Sequence, residues 1–427
     1  MRHLPLIALL ALGCSSDPTD DTAPATDDGL HGRIESMDGL AVLKLWGTRE
    51  EMGYAEGALY CEQMPALLKD YVLEYLVADY GVPYSLVLAL VENAITLPPD
   101  DERELQALWA GAEEHCTEEQ LWIESEHLEP EANGARTINY IDLVAANVLA
   151  DWGCSSFTAW GDLTTTGQPI HGRNFDWAID PDGRFLEQHV LKVYDSKEEG
   201  GARFASLTTP GLIGCITCFT EEGVGLTMHN IWEALDATQA TGIHPRMLAA
   251  RSALTATWQA QDIVAAAEAA LEAAPQRAGN NLHLSFPLDR GNGGGAVVFE
   301  FDGASDHADG QVTVREPGFD PELDGDQGIA CTNHYLQRSD PPDDNDSTQR
   351  LDTLRAGLNA AAASGGLNAE GARALMESVS WEATAHSVVM DAASRELYVF
   401  VAPETGVPAP SSEPAVIQLD ALFEDQP

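Results

Sequence analysis

Gly153-Cys154-Ser155-Ser156-Phe157, answered by Gly172-Arg173-Asn174-Phe175-Asp176, is the stretch on which the reading of this chain turns. Ser155 to Trp160 is rich in strand-forming residues, Thr164 to Pro169 is a turn cluster containing Gly167, and Ile170 to Trp177 runs back. The pattern predicts a hairpin with a cysteine at its head. A turn centred near Thr166 sets Cys154 opposite Asp176 to Ala178. A thiol, the Arg173 guanidinium and the Asp176 carboxylate then meet at one end of a two-stranded ribbon. A thiol buried only for packing has no need of two charges beside it.

The chemistry this suggests is nucleophilic. A cysteine becomes a strong nucleophile when a cation lowers its pKa and a base takes its proton. Arg173 supplies the cation, and no histidine is placed locally as the base. A cut between Gly153 and Cys154 would leave an α-amino group on the nucleophile's own residue. Such an amine, with a pKa of about 7.7–8.0, suits a general base near neutrality. Asp176 would orient it, and Gly153 would permit the strained backbone that a self-cleaving bond requires.

Further segments line up behind the hairpin. They are Leu43 to Gly57, Pro210-Gly211-Leu212-Ile213-Gly214, Glu222-Gly223-Val224-Gly225-Leu226, Thr332-Asn333-His334-Tyr335, Ser347 to Leu351, and His386-Ser387-Val388-Val389 with Leu397-Tyr398-Val399. In this order they resemble the cysteine N-terminal nucleophile (Ntn) hydrolases. The match is to the penicillin acyltransferase-like autoproteolytic acyltransferase/hydrolase family, related to choloylglycine hydrolases and acid ceramidases. The resemblance covers nearly everything after residue 38. It implies an autoprocessed amidohydrolase or acyltransferase that passes an acyl group through a Cys154 thioester, on a small-molecule acyl amide. Arg173 and Asp176 would be its electrostatic partners, Asn333 would donate its side-chain amide to the oxyanion, and Arg350 would support the site. One position departs from the family. An Asn-Glu pair is usual before the second glycine-rich strand, and here it reads Thr220-Glu221. Threonine has no amide donor, so the second oxyanion contact has to come from elsewhere.

Composition bounds the rest. The chain has 427 residues, 44% of them hydrophobic, enough for one large α/β unit or two domains. Its formal net charge is −47. That surface repels nucleic acid and anionic headgroups, so neither is an expected partner. Residues 1–13 read as a signal peptide: Arg2 and His3 precede an apolar run, Leu4 to Leu12. Ala11-Leu12-Gly13-Cys14 resembles a bacterial lipobox, which would make Cys14 a lipid anchor and place the protein in the cell envelope. Residues 14–29 read as an acidic tether.

Of the seven cysteines, Cys61 and Cys116 form a possible disulfide between helices. Cys215 and Cys218 sit in a strand-like run where residues three apart face opposite sides, so they read as buried thiols. No metal or cofactor motif is complete. Gly291 to Gly295 reads as a hairpin turn, and the acidic runs Asp320 to Asp326 and Asp343 to Asp346 as solvated loops. His334 and His386 read as structural.

Periodicity changes at Cys154. Residues 30–153 show helical patterns near Arg49–Val77, Pro83–Ile95, Glu102–Glu114 and Ile138–Asp151. Residues 154–427 are dominated by strands with helices between them. Pattern alone gives α+β, and the resemblance implies a four-layer αββα sandwich preceded by a helical segment. Three functions remain open: the Ntn enzyme, an inactive surface lipoprotein of that fold acting as a binding module (favoured by Thr220), and a thiol–disulfide protein using Cys215 and Cys218.

Overall fold

The computed structural model describes residues 29–78, 81–149, 153–231, 241–276, 278–291, 294–303, 307, 309–339 and 345–426. The expected signal peptide, Cys14 and nearly all of the tether lie outside them, as do Asp343 and Asp344 of the second acidic run. Two sheets form the centre. The larger has nine strands, in the order Gly32–Met37, Leu40–Gly47, Val190–Ser196, Arg203–Thr208, Thr217–Thr220, Gly225–Ile231, Gly279–Ser285, Ala296–Phe301 and Val312–Arg315. The smaller has six, in the order Gly328–Cys331, Cys154–Gly161, Gly167–Asp176, Thr384–Asp391, Glu396–Val401 and Ala415–Gln418. Neighbours are antiparallel, except that Leu40–Gly47 runs parallel to Val190–Ser196.

Alternation explains why the sheets stack. Leu191, Val193, Ala205 and Leu207 point inward from the larger sheet and meet Val388, Met390 and Val399 of the smaller one. Their sequence neighbours Lys192, Tyr194, Phe204 and Ser206 point outward. Helices cover that outer face: Arg49–Leu59, Arg246–Ala256 and Ile263–Glu272 pack on strands, with Pro99–His115 against the first of them. Asp346–Ser364 and Ala369–Glu377 cover the smaller sheet. The layers are α, β, β and α, as expected.

Residues 30–153 are not purely helical. They open with the hairpin Gly32–Met37 and Leu40–Gly47, which forms one end of the larger sheet. The expected Arg49–Val77 helix is interrupted: Arg49–Leu59 ends at Tyr60, and a second helical run, Gln63–Ala66 then Leu67–Val77 with π-type bonding, follows. Helices Arg49–Leu59 and Pro99–His115 touch backbone to backbone through glycine. A Cβ on Gly57 would lie 1.9 Å from the Leu108 carbonyl oxygen. Cys61 and Cys116 are bonded at the end of this pair.

One expectation is corrected here. Cys215 and Cys218 are not two thiols: they are joined as a disulfide. Cys215 precedes the strand, which starts only at Thr217, so strict alternation does not separate the pair. The Pro210 to Gly214 motif is a buried loop. Side chains satisfy its backbone: Gly211 N–H donates to Glu56 at 2.7 Å, Ile213 N–H to Asn147 at 2.9 Å, and Lys192 donates to the Leu212 carbonyl at 2.9 Å.

Candidate active site

Cys154 heads its strand and is 2% exposed. Its partner across the hairpin is Phe175, not Asp176 to Ala178. The register shifts between Ala159 and Gly161, and the turn lies earlier than Thr166. A bulge of this kind moves every later pair by one residue. Cys154, Ser156, Arg173 and His171 therefore face the larger sheet, while Ser155, Asn174 and Asp176 face the helices. Arg173 and Asp176 flank the site from opposite faces of the ribbon.

The Gly153–Cys154 peptide is held at both ends. The Gly153 carbonyl accepts the Asp176 N–H at 3.1 Å. The Cys154 N–H donates to Asn333 Oδ1 at 2.7 Å. Arg350 grips the surroundings: Nη1 donates to the Cys154 carbonyl and to Ser155 Oγ, both at 2.6 Å, and Nη2 to Asn333 Oδ1 at 3.0 Å. It also stands 3.8 Å from Asp176 Oδ2. That oxygen is buried and has no hydrogen-bond partner among the described residues, whereas Oδ1 accepts from Thr384 at 2.7 Å. Gly153 is not strained. Its φ is not positive, and a Cβ there would sit 3.6 Å from Asp176, an ordinary contact.

Electrostatics oppose each other at the thiol. Burial pushes the Cys154 pKa up; the Arg173 guanidinium is the strongest force pulling it back, and the Asp176 charge adds to the upward push. Burial likewise raises the Asp176 carboxyl, against Arg350 and Thr384. Arg173 is fully buried, and its Nε donates to Thr217 Oγ1 at 3.4 Å. Thr217 Oγ1 also meets His386 Nε2 at 3.0 Å. With Arg173→Ala, the thiol loses its main cation. The expected result is that alkylation of Cys154 by iodoacetamide moves to higher pH. An unchanged pH profile would remove Arg173 from the site.

Asn333 is set by its backbone. Its N–H donates to Ser347 Oγ at 2.8 Å, and Asn281 Nδ2 binds the carbonyls on either side, Thr332 at 3.1 Å and His334 at 2.8 Å. Its own Nδ2 goes to the Asn230 carbonyl at 2.8 Å. In this arrangement Asn333 meets the Cys154 backbone nitrogen through Oδ1, and its amide donor is engaged by Asn230.

Asn230 is the residue sequence reasoning missed. Its Nδ2 is buried and has no hydrogen-bond partner among the described residues. Asn230 thus carries an unengaged amide donor, a group that Thr220 does not have. Thr220 instead closes a tight turn, taking the Val224 N–H on its hydroxyl at 3.1 Å. The signal was an amide at the end of the strand Gly225–Ile231, the second glycine-rich strand.

Beneath the hairpin runs a buried polar chain. His229 Nδ1 meets the Asn281 carbonyl at 3.3 Å, and His229 Nε2 meets Ser156 Oγ at 2.8 Å. Ser156 Oγ meets His283 Nδ1 at 2.7 Å. Thr158 Oγ1 meets His283 Nε2 and His171 Nδ1, both at 2.9 Å. The Asn281 carbonyl can only accept, so His229 carries its proton on Nδ1, and every later tautomer follows. Burial holds the three imidazoles neutral, His171 down to about 3.

His334 binds Ser347 Oγ at 2.8 Å beside Asn333. Trp160 packs between the sheets, and Trp177 stacks on Phe175. Asp320 pairs with Arg355. No group of three or more His, Cys, Asp or Glu among the described residues could hold a metal ion.

Comparison with known proteins gives distant likenesses. No family model matches the chain. It is 23% identical over 243 residues to an uncharacterized protein of Archaeoglobus fulgidus, covering 53% of this chain and 39% of that one. It is 26% identical over 194 residues to protein dcd1B of Dictyostelium discoideum, covering 43% and 36%. The chain thus spans less than two fifths of the length of these relatives. Among solved structures it is similar to a Caenorhabditis elegans N-acylethanolamine-hydrolyzing acid amidase ortholog, at 14% identity and a TM-score of 0.38, over 56% of this chain and 92% of that one. A mutant of conjugated bile acid hydrolase from Clostridium perfringens gives 12%, 0.37, 64% and 95%. Penicillin V acylase from Agrobacterium tumefaciens gives 17%, 0.34, 60% and 84%. The chain's own layering of α, β, β and α is the one expected from its resemblance to the Ntn hydrolases.

Proposed function

We propose that this protein is a self-processing cysteine amidohydrolase or acyltransferase acting on small acyl amides. The observation that carries the reading is the grip on the Gly153–Cys154 peptide, with its carbonyl on the Asp176 N–H and its nitrogen on Asn333 Oδ1. In the first step Cys154 Sγ attacks the Gly153 carbonyl carbon. The carbon–sulfur bond forms, the carbon–nitrogen bond breaks, and the thiol proton ends on the departing amine. Water then hydrolyses the thioester, leaving a Gly153 carboxylate and a free α-amine on Cys154.

That amine is the base for turnover. It takes the thiol proton while sulfur attacks the substrate carbonyl, then returns a proton to the leaving amine. Asn333 Oδ1 already holds the nitrogen in place. Arg173 favours thiolate, and Asn230 Nδ2 is the candidate donor to the developing oxyanion. Water or an amine finally takes the acyl group from Cys154. The binding-module reading leaned on Thr220, and Asn230 supplies the donor Thr220 lacks. Intact mass measurement tests processing: a species beginning at Cys154 supports it, and an active enzyme of one uncut chain overturns it.

We also propose that Cys14 carries lipid and tethers the protein to the cell envelope. No helix among the described residues is long and apolar enough to cross a membrane. The net charge of −47 opposes attachment to anionic lipid, so a covalent lipid would have to hold it. After processing, the larger piece would stay with the anchored one, since the strands Gly32–Met37 and Leu40–Gly47 belong to the sheet of the larger piece. Cys14→Ser is expected to release soluble protein. Retention in the membrane fraction, or an unlipidated Cys14 by mass spectrometry, would sink the tether.

A further inference from the structure

An apolar cavity of about 410 Å³ lies between the two future pieces of the chain. Leu90 and Ile95 line it from the end of the helix Tyr84–Ala94, and Val148 from the helix Tyr140–Leu149. Ile243, Pro245 and Arg246 form the facing wall. The walls are tied by backbone: Ile243 N–H donates to the Ala94 carbonyl and Thr96 N–H to the Ile243 carbonyl, both at 2.9 Å.

The cavity adjoins the site through two side chains. Arg246 donates to Asn230 Oδ1, and the Asn230 carbonyl accepts from Asn333 Nδ2 at 2.8 Å. Asn333 in turn holds the Cys154 nitrogen. Val148 also lies six positions before Cys154 along the chain. The volume falls in the usual range for a ligand pocket. Its lining is mostly aliphatic, with His244, Arg246 and Gln276 as the polar members and no Phe, Tyr or Trp among the described residues, so it offers chiefly methylene contacts in place of stacking on large rings.

We propose that this cavity is the acyl subsite and takes the tail of a straight-chain aliphatic acyl amide. The proposal rests on Cys154 acting as the nucleophile. The acyl carbonyl would sit at Cys154 and Asn230, with the chain running past Arg246 toward Leu90. Leu90 is 42% exposed, and Leu86, one turn earlier on the same helix face, continues an apolar track outward, so longer chains have a path out. Apolar burial then sets chain-length preference, at roughly two- to fourfold in kcat/KM per methylene until the cavity is full.

The test uses mature wild-type protein and aminocoumarin amides of acetic, hexanoic, decanoic and phenylacetic acids. The decanoyl amide is expected to be cleaved best. Val148→Trp, which fills the cavity, should lower kcat/KM on the decanoyl amide by about tenfold or more and leave the acetyl amide within about twofold. Leu90→Trp, a surface change with little risk to folding, should do the same more weakly. A phenylacetyl preference, or equal losses on all four amides, overturns the subsite. A second arm measures decanoyl amide binding to Cys154→Ala, which needs no catalysis. Binding lost in the Cys154→Ala, Val148→Trp double variant supports the cavity even if the wild type cleaves nothing, in which case the hydrolase reading alone fails. Binding unchanged by Val148→Trp overturns the cavity proposal.

Discussion

Cys154→Ala is expected to run as one chain on a denaturing gel and to hydrolyse no amide, while the wild type separates into pieces ending at Gly153 and starting at Cys154. The expected loss of turnover is on the order of 10⁴ or more, as for other covalent nucleophiles. The fold should survive, because Cys154 contributes a small buried side chain to a strand whose backbone pairing is unchanged. Cys154→Ser keeps a nucleophile in place. It should process slowly, since a hydroxyl at its ordinary pKa is the weaker attacking group. The proposed base does not exist until the bond is cut, so processing and turnover should fail together in the alanine variant. A wild type that remains a single band while turning over substrate would rule out the amine base.

The hairpin was legible in the sequence because its residues carry both strand propensity and chemistry. Cys154, Arg173, Asp176, Asn333 and Arg350 do converge, although they lie up to 196 positions apart. The detail was not legible. The register depends on a bulge at Trp160, which leaves no mark in alternation. The placement of Arg173 and Asp176 on opposite faces follows from that register. Cys215 was misread because alternation was applied before the strand begins at Thr217.

Asn230 escaped because an amide at a strand end looks like any other polar residue until its neighbours are known. The histidine chain escaped for the same reason, since His283 meets Thr158 across 125 positions of sequence. Local pattern reports which face a residue takes, not what stands opposite it across a second sheet. Of the opening hairpin Gly32–Met37 and Leu40–Gly47 only the part from Leu43 onward was picked out, because strong helical periodicity follows it directly.

Arg350 should be the most sensitive position after the nucleophile. Arg350→Ala is expected to slow processing and turnover by on the order of 10²–10³. The residue is one cation serving the Cys154 carbonyl, Ser155 Oγ and Asn333 Oδ1, with Asp176 close by. Without it Asn333 loses the partner that fixes the oxygen meeting the Cys154 nitrogen, and the raised Asp176 carboxyl loses its strongest opposing charge. Arg350→Lys separates charge from shape. An ammonium keeps the positive charge but not the planar fork that spans these acceptors, so only part of the rate should return. Asp346→Asn is the control. Asp346 also pairs with Arg350 at 2.8 Å, but its side chain is 80% exposed, and exposed pairs contribute about 0–1 kcal/mol. It should leave both rates nearly unchanged. If Arg350→Ala processes like the wild type, or if Asp346→Asn is as damaging as Arg350→Ala, the clamp is not what aligns the nucleophile.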